Sequence, residues 1–204
     1  GSKISNSSYN NDYINVFFKG HPMSLFYALP TDGIVQEGQT GVPFADGVPR
    51  GPGAVNFVDT NGDGIISEED RVVVGDPNPD FTYGFNTSLT VKRFTLNASF
   101  VGSYGNEVYN QQMAALTDVT TLSANRLREP IFNCWSPENP SARYPSLSAF
   151  TMTDVSLCSD RFVEDGSYLR IANLSLTYSV PFKNPKSFVK HLSFTLSGKN
   201  LYCF

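Results

Sequence analysis

Charge is scarce in this sequence. Its 204 residues hold 15 Lys and Arg against 19 Asp and Glu, a net charge of −4 with 17% charged residues. That balance offers no basic face for nucleic acid, so a nucleic-acid partner is excluded. Histidine is nearly absent: His21 and His191 are far apart in sequence and make a poor catalytic or metal pair. The three cysteines, Cys134, Cys158 and Cys203, lack metal-ligand spacing and cannot all pair with one another. No nucleophile elbow of the Gly-x-Ser-x-Gly kind occurs. No run of about 18 apolar residues exists, which excludes a membrane-spanning helix. It does not exclude a transmembrane β-barrel, whose spans are short and only half apolar. The N-terminus shows no secretory signal pattern. Gly1-Ser2 has the look of a cloning scar and Leu192 to Phe204 reads as a strand running off the chain, so a piece of a longer protein is expected.

What the sequence does have is aromatics, glycine and proline: 16 Phe, 10 Tyr, 16 Gly and 13 Pro. This mixture favours many strands joined by irregular loops. Phe81, Tyr83, Phe85, Leu89 and Val91 alternate with Thr82, Gly84, Asn86, Ser88 and Thr90. A period of two is the mark of a strand. Lys92-Arg93 makes a short turn, and Phe94, Leu96, Ala98 and Phe100 repeat the alternation against Thr95, Asn97 and Ser99. The pair predicts an antiparallel hairpin. Tyr168 to Val180 and the segment from Leu192 predict a second one, with a turn over Pro181 to His191. A further strand is expected over Met23 to Leu29, and Tyr9 to Gly20 is ambiguous. The stretches 31–80 and 103–166 are long connections, the latter with a short helix near Glu107 to Leu116. Loops of this length usually carry function.

One connection holds the sharpest local motif. Asp59-Thr-Asn61-Gly-Asp63-Gly64-Ile65-Ile66-Ser67-Glu68-Glu69-Asp70 places oxygen ligands at positions 1, 3 and 5. A glycine follows at position 6 and an acid at position 12, the pattern of an EF-hand-type Ca²⁺ loop. The expected ligands are Asp59, Asn61, Asp63, the carbonyl of Ile65, Ser67 and Asp70. Asp70 stands where glutamate is usual, and its shorter arm implies weaker or less selective binding. The alternative is an Asx-rich turn closed by its own backbone contacts. In either case the loop is expected to stiffen structure, not to carry chemistry. Trp135, flanked by Pro137 and Pro140, is a weak candidate for sugar stacking, with a buried loop anchor as the alternative. Asp160, Glu164 and Asp165 allow a carboxylate pair on paper, but a solvated loop is the preferred reading. Asn86, Asn97 and Asn173 match the glycosylation sequon inside strands, as chance matches do.

Two architectures fit the alternation. In a soluble sandwich the apolar face is the core. In an outer-membrane barrel it meets lipid and the polar face lines the lumen. Small Thr, Ser, Asn and Gly on the polar face lean towards the barrel. So do aromatics near strand ends (Phe81, Tyr83, Tyr168, Tyr178) and long connections at one end only. Arg170 is expected on the apolar face near the outer rim, reaching for headgroups or for an acid in the loops.

Several segments in order also carry a family likeness. They are Asp32 to Gln36, Asp59 to Gly64 with Asp70-Arg71, Gly75 to Phe85, Gly102 to Asn110, Trp135 to Pro140, Val163 to Arg170 and Gly198 to Leu201. Together they resemble the C-terminal part of SusC/RagA-type TonB-dependent outer-membrane transporters, from about Gly20 onward. The resemblance implies a mainly β fold: antiparallel strands with long loops, a fragment of a large transmembrane β-barrel. In a 22-stranded plugged barrel this chain would hold about five or six strands. It implies location in the outer membrane with lipid against the wall, and 31–80 and 103–166 as extracellular loops. It also implies a SusD-like surface lipoprotein and TonB as partners of the full-length protein, with glycan or peptide substrates and no enzymatic activity. On that topology Phe81 to Val91 runs inward from the outside and Phe94 to Gly102 returns. A soluble, secreted carbohydrate-binding module with a structural calcium loop is the rival interpretation.

Overall fold

The structure is a computed structural model that describes residues 2–3, 8–9, 12–117, 125, 127–147, 157–181, 188–189 and 191–204. Residues 182–187 and 190 of the turn expected over Pro181 to His191 therefore lie outside the described residues, as do 118–124, 126 and 148–156 of the second long connection. The chain forms two compact units, Gly1–Asn78 with Glu107–Glu164, and Pro79–Asn106 with Asp165–Phe204.

The second unit is one antiparallel sheet of four long strands: Phe81–Val91, Phe94–Tyr104, Tyr168–Val180 and Leu192–Cys203. They lie side by side in sequence order. Among the described residues this sheet has four strands, where five or six barrel strands were expected, and the N-terminal strands belong to the other unit. The register puts like residues in rows across the sheet. On one face, Val91, Phe94, Tyr178 and Phe194 form a row, followed by Leu89, Leu96, Leu176 and Leu196. Beyond Thr87, Ala98, Leu174 and Gly198 comes a second aromatic-rich row of Phe85, Phe100, Ile171 and Tyr202. Tyr83 with Gly102, then Phe81 with Tyr104, complete that face. On the other face Thr90, Thr95, Thr177 and Thr195 form one row, and Ser88, Asn97, Ser175 and Ser197 the next. Hydroxyls meet across it, Thr90 to Thr95 at 3.1 Å and Thr177 to Thr195 at 2.9 Å. The hairpin closes at Lys92-Arg93 as the sequence predicts, with Lys92 held at φ 56°.

Arg170 departs from the expectation. Strict alternation would place it beside Ala172 and Leu174, but the register shifts between Ser99 and Phe100 and leaves Ala172 without a partner. This bulge inserts one extra residue and turns every side chain beyond it to the opposite face. Arg170 consequently pairs with Val101 and Cys203 on the polar side, and Tyr168 goes with it, its ring 5.7 Å from the guanidinium. Ile171 and Leu169 take over the apolar face.

The first unit joins the N-terminal region to most of the expected long loops, and it is not featureless. Ser2–Lys3, Asn15–Phe17, Leu25–Ala28 and Val72–Gly75 form a small four-stranded sheet, and Thr31–Ile34 pairs with Val55–Phe57. The expected helix begins later than its pattern suggested: Glu107–Tyr109 is a strand and the helix is Gln111–Thr117. Asn110 fixes the start, its side-chain oxygen accepting from the Met113 N–H at 2.9 Å. Two dry clusters hold the unit together, one of Leu29, Val55, Phe57 and Ile66, the other of Ile14, Phe26, Ala28 and Cys158. Each large side chain so buried contributes about 1.5–3 kcal/mol. Arg50 is buried as a strut. Its guanidinium lies 3.1 Å from Asp46 and 4.7 Å from the Phe44 ring centre.

Candidate functional site

The Asp59–Asp70 loop folds as nested turns. Asp59 accepts from the N–H of Gly62 at 2.6 Å and of Gly64 at 2.7 Å. Asn61 accepts from the N–H of Asp63, and Asp63 from that of Ile65, both at 2.8 Å. Gly64 supplies the left-handed backbone, φ 84°, that the turn at position 6 requires. Ile66 then pins the loop to the Leu29 cluster and donates its N–H to Pro43 at 2.8 Å.

Asp70 is fully buried. Its carboxylate accepts from the N–H groups of Thr60 at 2.9 Å, Asn61 at 3.4 Å and Ser67 at 2.8 Å. With the Ser67 hydroxyl receiving the Glu69 N–H at 3.1 Å, this is a capping box for the short helix Glu68–Asp70. Burial pushes the Asp70 carboxyl up, but the N–H groups of Ser67, Thr60 and Asn61 and the Thr60 hydroxyl outweigh it and hold its pKa below the usual value. The twelfth residue thus fastens backbone to backbone. Asp59, Asn61 and Asp63 keep acceptor capacity, since a carboxylate oxygen has two lone pairs. Among the described residues, however, no three His, Cys, Asp or Glu side chains converge as a metal group.

Trp135 is buried, with its indole N–H on Gln36 at 3.0 Å and its ring against Gly53, where an added Cβ would come within 2.7 Å of it. It anchors a loop. The three acids near Tyr168 are each occupied separately. Asp160 holds the Thr31 N–H and hydroxyl at 3.1 and 2.6 Å, Glu164 meets Asn110 at 3.2 Å, and Asp165 accepts the Ser167 N–H at 2.8 Å. The three cysteines are free thiols.

The sheet is the second candidate, as a surface. Phe85, Leu89 and Leu196 are 60%, 58% and 78% exposed. The apolar face carries aromatics towards both ends and leucines between. From Val91 to Phe81 is a strand rise of ~34 Å at ~3.4 Å per residue. Tilted by about 40°, that is a height of ~26 Å, the apolar band of a membrane barrel.

A third feature escaped the sequence reading. A cavity of about 400 Å³ within the loop unit is lined by Gln36, Met113, Arg143, Tyr144, Arg161 and Phe162 among others. The residues come from four separate stretches of chain, and no local pattern marks them.

No protein-family model matches the sequence. A TonB-dependent receptor of Formosa agariphila is 34% identical over 192 residues, which cover 91% of this chain and 18% of that protein. The TonB-dependent receptor SusC of Bacteroides thetaiotaomicron is 29% identical over 123 residues, covering 60% of this chain and 11% of the relative. Among solved structures, the RagAB peptide importer in its open-open state matches 98% of this chain and 21% of that chain, with a TM-score of 0.69 and 20% identity. That likeness is one of fold. The chain spans about a tenth to a fifth of the length of the proteins it matches.

Proposed function

The chain is a segment of a SusC/RagA-type TonB-dependent receptor, and from that premise we propose that it supplies barrel wall and extracellular loops to an outer-membrane importer of glycans or peptides. The observation that carries this is the two-faced sheet, with a leucine row flanked by aromatic rows on one side and a threonine row on the other. Lipid would meet the first face and the water-filled lumen the second. A soluble binding module would have to cover that apolar face, and its exposure speaks against one. The contribution is mechanical, a wall and a set of outer connections, with no catalytic step. In the full-length protein a SusD-like lipoprotein and TonB are the proposed partners, and 31–80 and 103–166 the outward loops. The Asp59–Asp70 loop takes a structural role. Ca²⁺ is its proposed occupant, on Asp59, Asn61, Asp63 and the Ile65 carbonyl, while Asp70 serves the backbone.

Cysteine labelling of the complete receptor in outer membranes tests the wall. With native cysteines replaced by serine, Leu89→Cys and Leu196→Cys should resist a water-soluble maleimide, whereas Thr90→Cys and Thr195→Cys should react. Equal labelling of both faces would sink the proposal. For the loop, a Ca²⁺ titration against chelator should raise the melting temperature, and Asp59→Ala with Asp63→Ala should remove the effect. An unchanged melting temperature takes the ion out.

A further inference from the structure

We propose that the Arg161 cavity of the loop unit is a binding site for the carboxylate of a small anionic ligand. Arg161 and Phe162 line it on one side, Arg143 and Tyr144 on another, with Gln36 and Met113 between. The Arg161 guanidinium lies 5.4 Å from the Phe162 ring centre. It has no ion pair or hydrogen bond among the described residues. Asp160 beside it attracts it through space, and each Asp160 oxygen accepts one bond from Thr31. Burial foremost lowers the Arg161 pKa, and Arg143 adds like-charge repulsion, while Asp160, Tyr144 and Tyr109 pull the other way. A guanidinium does not escape such a site by losing its proton, because its pKa lies too high. It therefore stays a half-buried cation whose planar fork matches a carboxylate in bidentate fashion.

The Tyr144 hydroxyl is buried with no partner at full hydrogen-bond geometry, and the Glu129 carboxylate is the acceptor nearest to serving it. Burial first, then the charge of Glu129, raises its pKa, so it remains a neutral donor. A guanidinium with no protein partner among the described residues, set in a cavity wall, is a ready donor for an acceptor that enters there. Ile34, Met113 and Phe162 make the rest of the wall largely apolar. A volume of about 400 Å³ suits one or two residues of a peptide acid or one sugar acid. The shared chemistry is a carboxylate on a carbon-rich body. This deepens the importer proposal, and rests on it only in taking the ligand to be cargo.

Calorimetric titration of the complete receptor in detergent micelles tests the site, with trialanine, its C-terminal amide and trigalacturonate as probes. At least one acid should bind, and trialanine amide should bind about 10- to 100-fold more weakly than the free acid if the peptide is the source. Binding of trigalacturonate alone would assign the carboxylate to sugar acids. Arg161→Gln should weaken the bound acid by the same 10- to 100-fold, with Arg161→Lys in between. Tyr144→Phe, which keeps the ring, should cost about 3- to 10-fold and serves if Arg161→Gln fails to fold. The proposal is overturned if neither acid binds, if acid and amide bind alike without uronate binding, or if folded Arg161→Gln and Tyr144→Phe bind as the parent does. The assay needs no energised membrane, so intact binding with absent uptake would count against the importer reading alone.

Discussion

In the loop unit Val55, Ile66 and Leu29 are 1–3% exposed; in the sheet Leu89 and Leu196, side chains of the same chemistry, stand 58% and 78% exposed. The sequence is equally apolar at both places. The difference lies in what each set was shaped to meet. The loop unit gathers residues from distant stretches around two dry centres, so its apolar groups meet each other. The sheet repeats one row after another, and its apolar groups stand exposed among the described residues; in the proposed barrel wall they would meet acyl chains. The N-terminal region and connections rich in Gly, Pro and Asp thus form the conventional globular part of this protein, while its most regular secondary structure shows no core cluster among the described residues.

Substitutions that treat the two regions alike should give unlike results. The largest effect is expected from Phe57→Ala, which empties part of the Leu29 cluster and should cost about 3–5 kcal/mol in urea unfolding. Phe85→Ala, a similar truncation on the sheet, should cost far less; equal costs would erase the distinction drawn above. Next comes Leu196→Arg. In lipid vesicles it should destabilise by about 2–4 kcal/mol, because the leucine row lies between the aromatic rows. Thr195→Arg, one residue away on the other face, should be nearly neutral in the same equilibrium assay.

Asp70→Ala should cost roughly 2–3 kcal/mol by stranding the N–H groups of Thr60, Asn61 and Ser67. The pH dependence follows from the same contacts. The Asp70 pKa is lowered in the folded state, so its contribution is full above the unfolded value of ~4 and is lost as pH falls through the folded one. A melting curve that is flat from pH 6 down to pH 3 would contradict this. The smallest effect belongs to Lys92→Gly. Lys92 sits at φ 56° in the hairpin turn, and glycine there should stabilise the sheet by about 0.5–1 kcal/mol. A loss of stability would mean that the lysine makes an interaction worth more than its backbone strain.

Much of this fold was legible in advance. The four sheet strands, the Lys92-Arg93 turn and the two-faced pattern follow from alternation, because a period of two is written locally. Family likeness followed too, since it rests on short segments in order. Arg170 and Tyr168 show where local reading stops. Alternation is reliable only up to a bulge, and the bulge at Ala172 is made by pairing with Phe94–Tyr104, not by any residue that announces it. The metal motif was legible as a turn, since its Asx contacts span two to five residues. The service of Asp70 to Thr60 was not, because the same spacing suits an ion and a backbone N–H equally well.

By itself the sequence determined which residues alternate, where the chain must turn, and that one face of the sheet would be greasy and the other rich in hydroxyls. Those are consequences of covalent geometry and side-chain chemistry within a few residues. Only the tertiary structure decided that the N-terminal region and the long connections would bury two cores together, that Arg170 would join the polar side, and that Arg161, Arg143 and Tyr144 would share a cavity. Each of these depends on residues tens of positions apart being brought within reach, and no local periodicity encodes that distance.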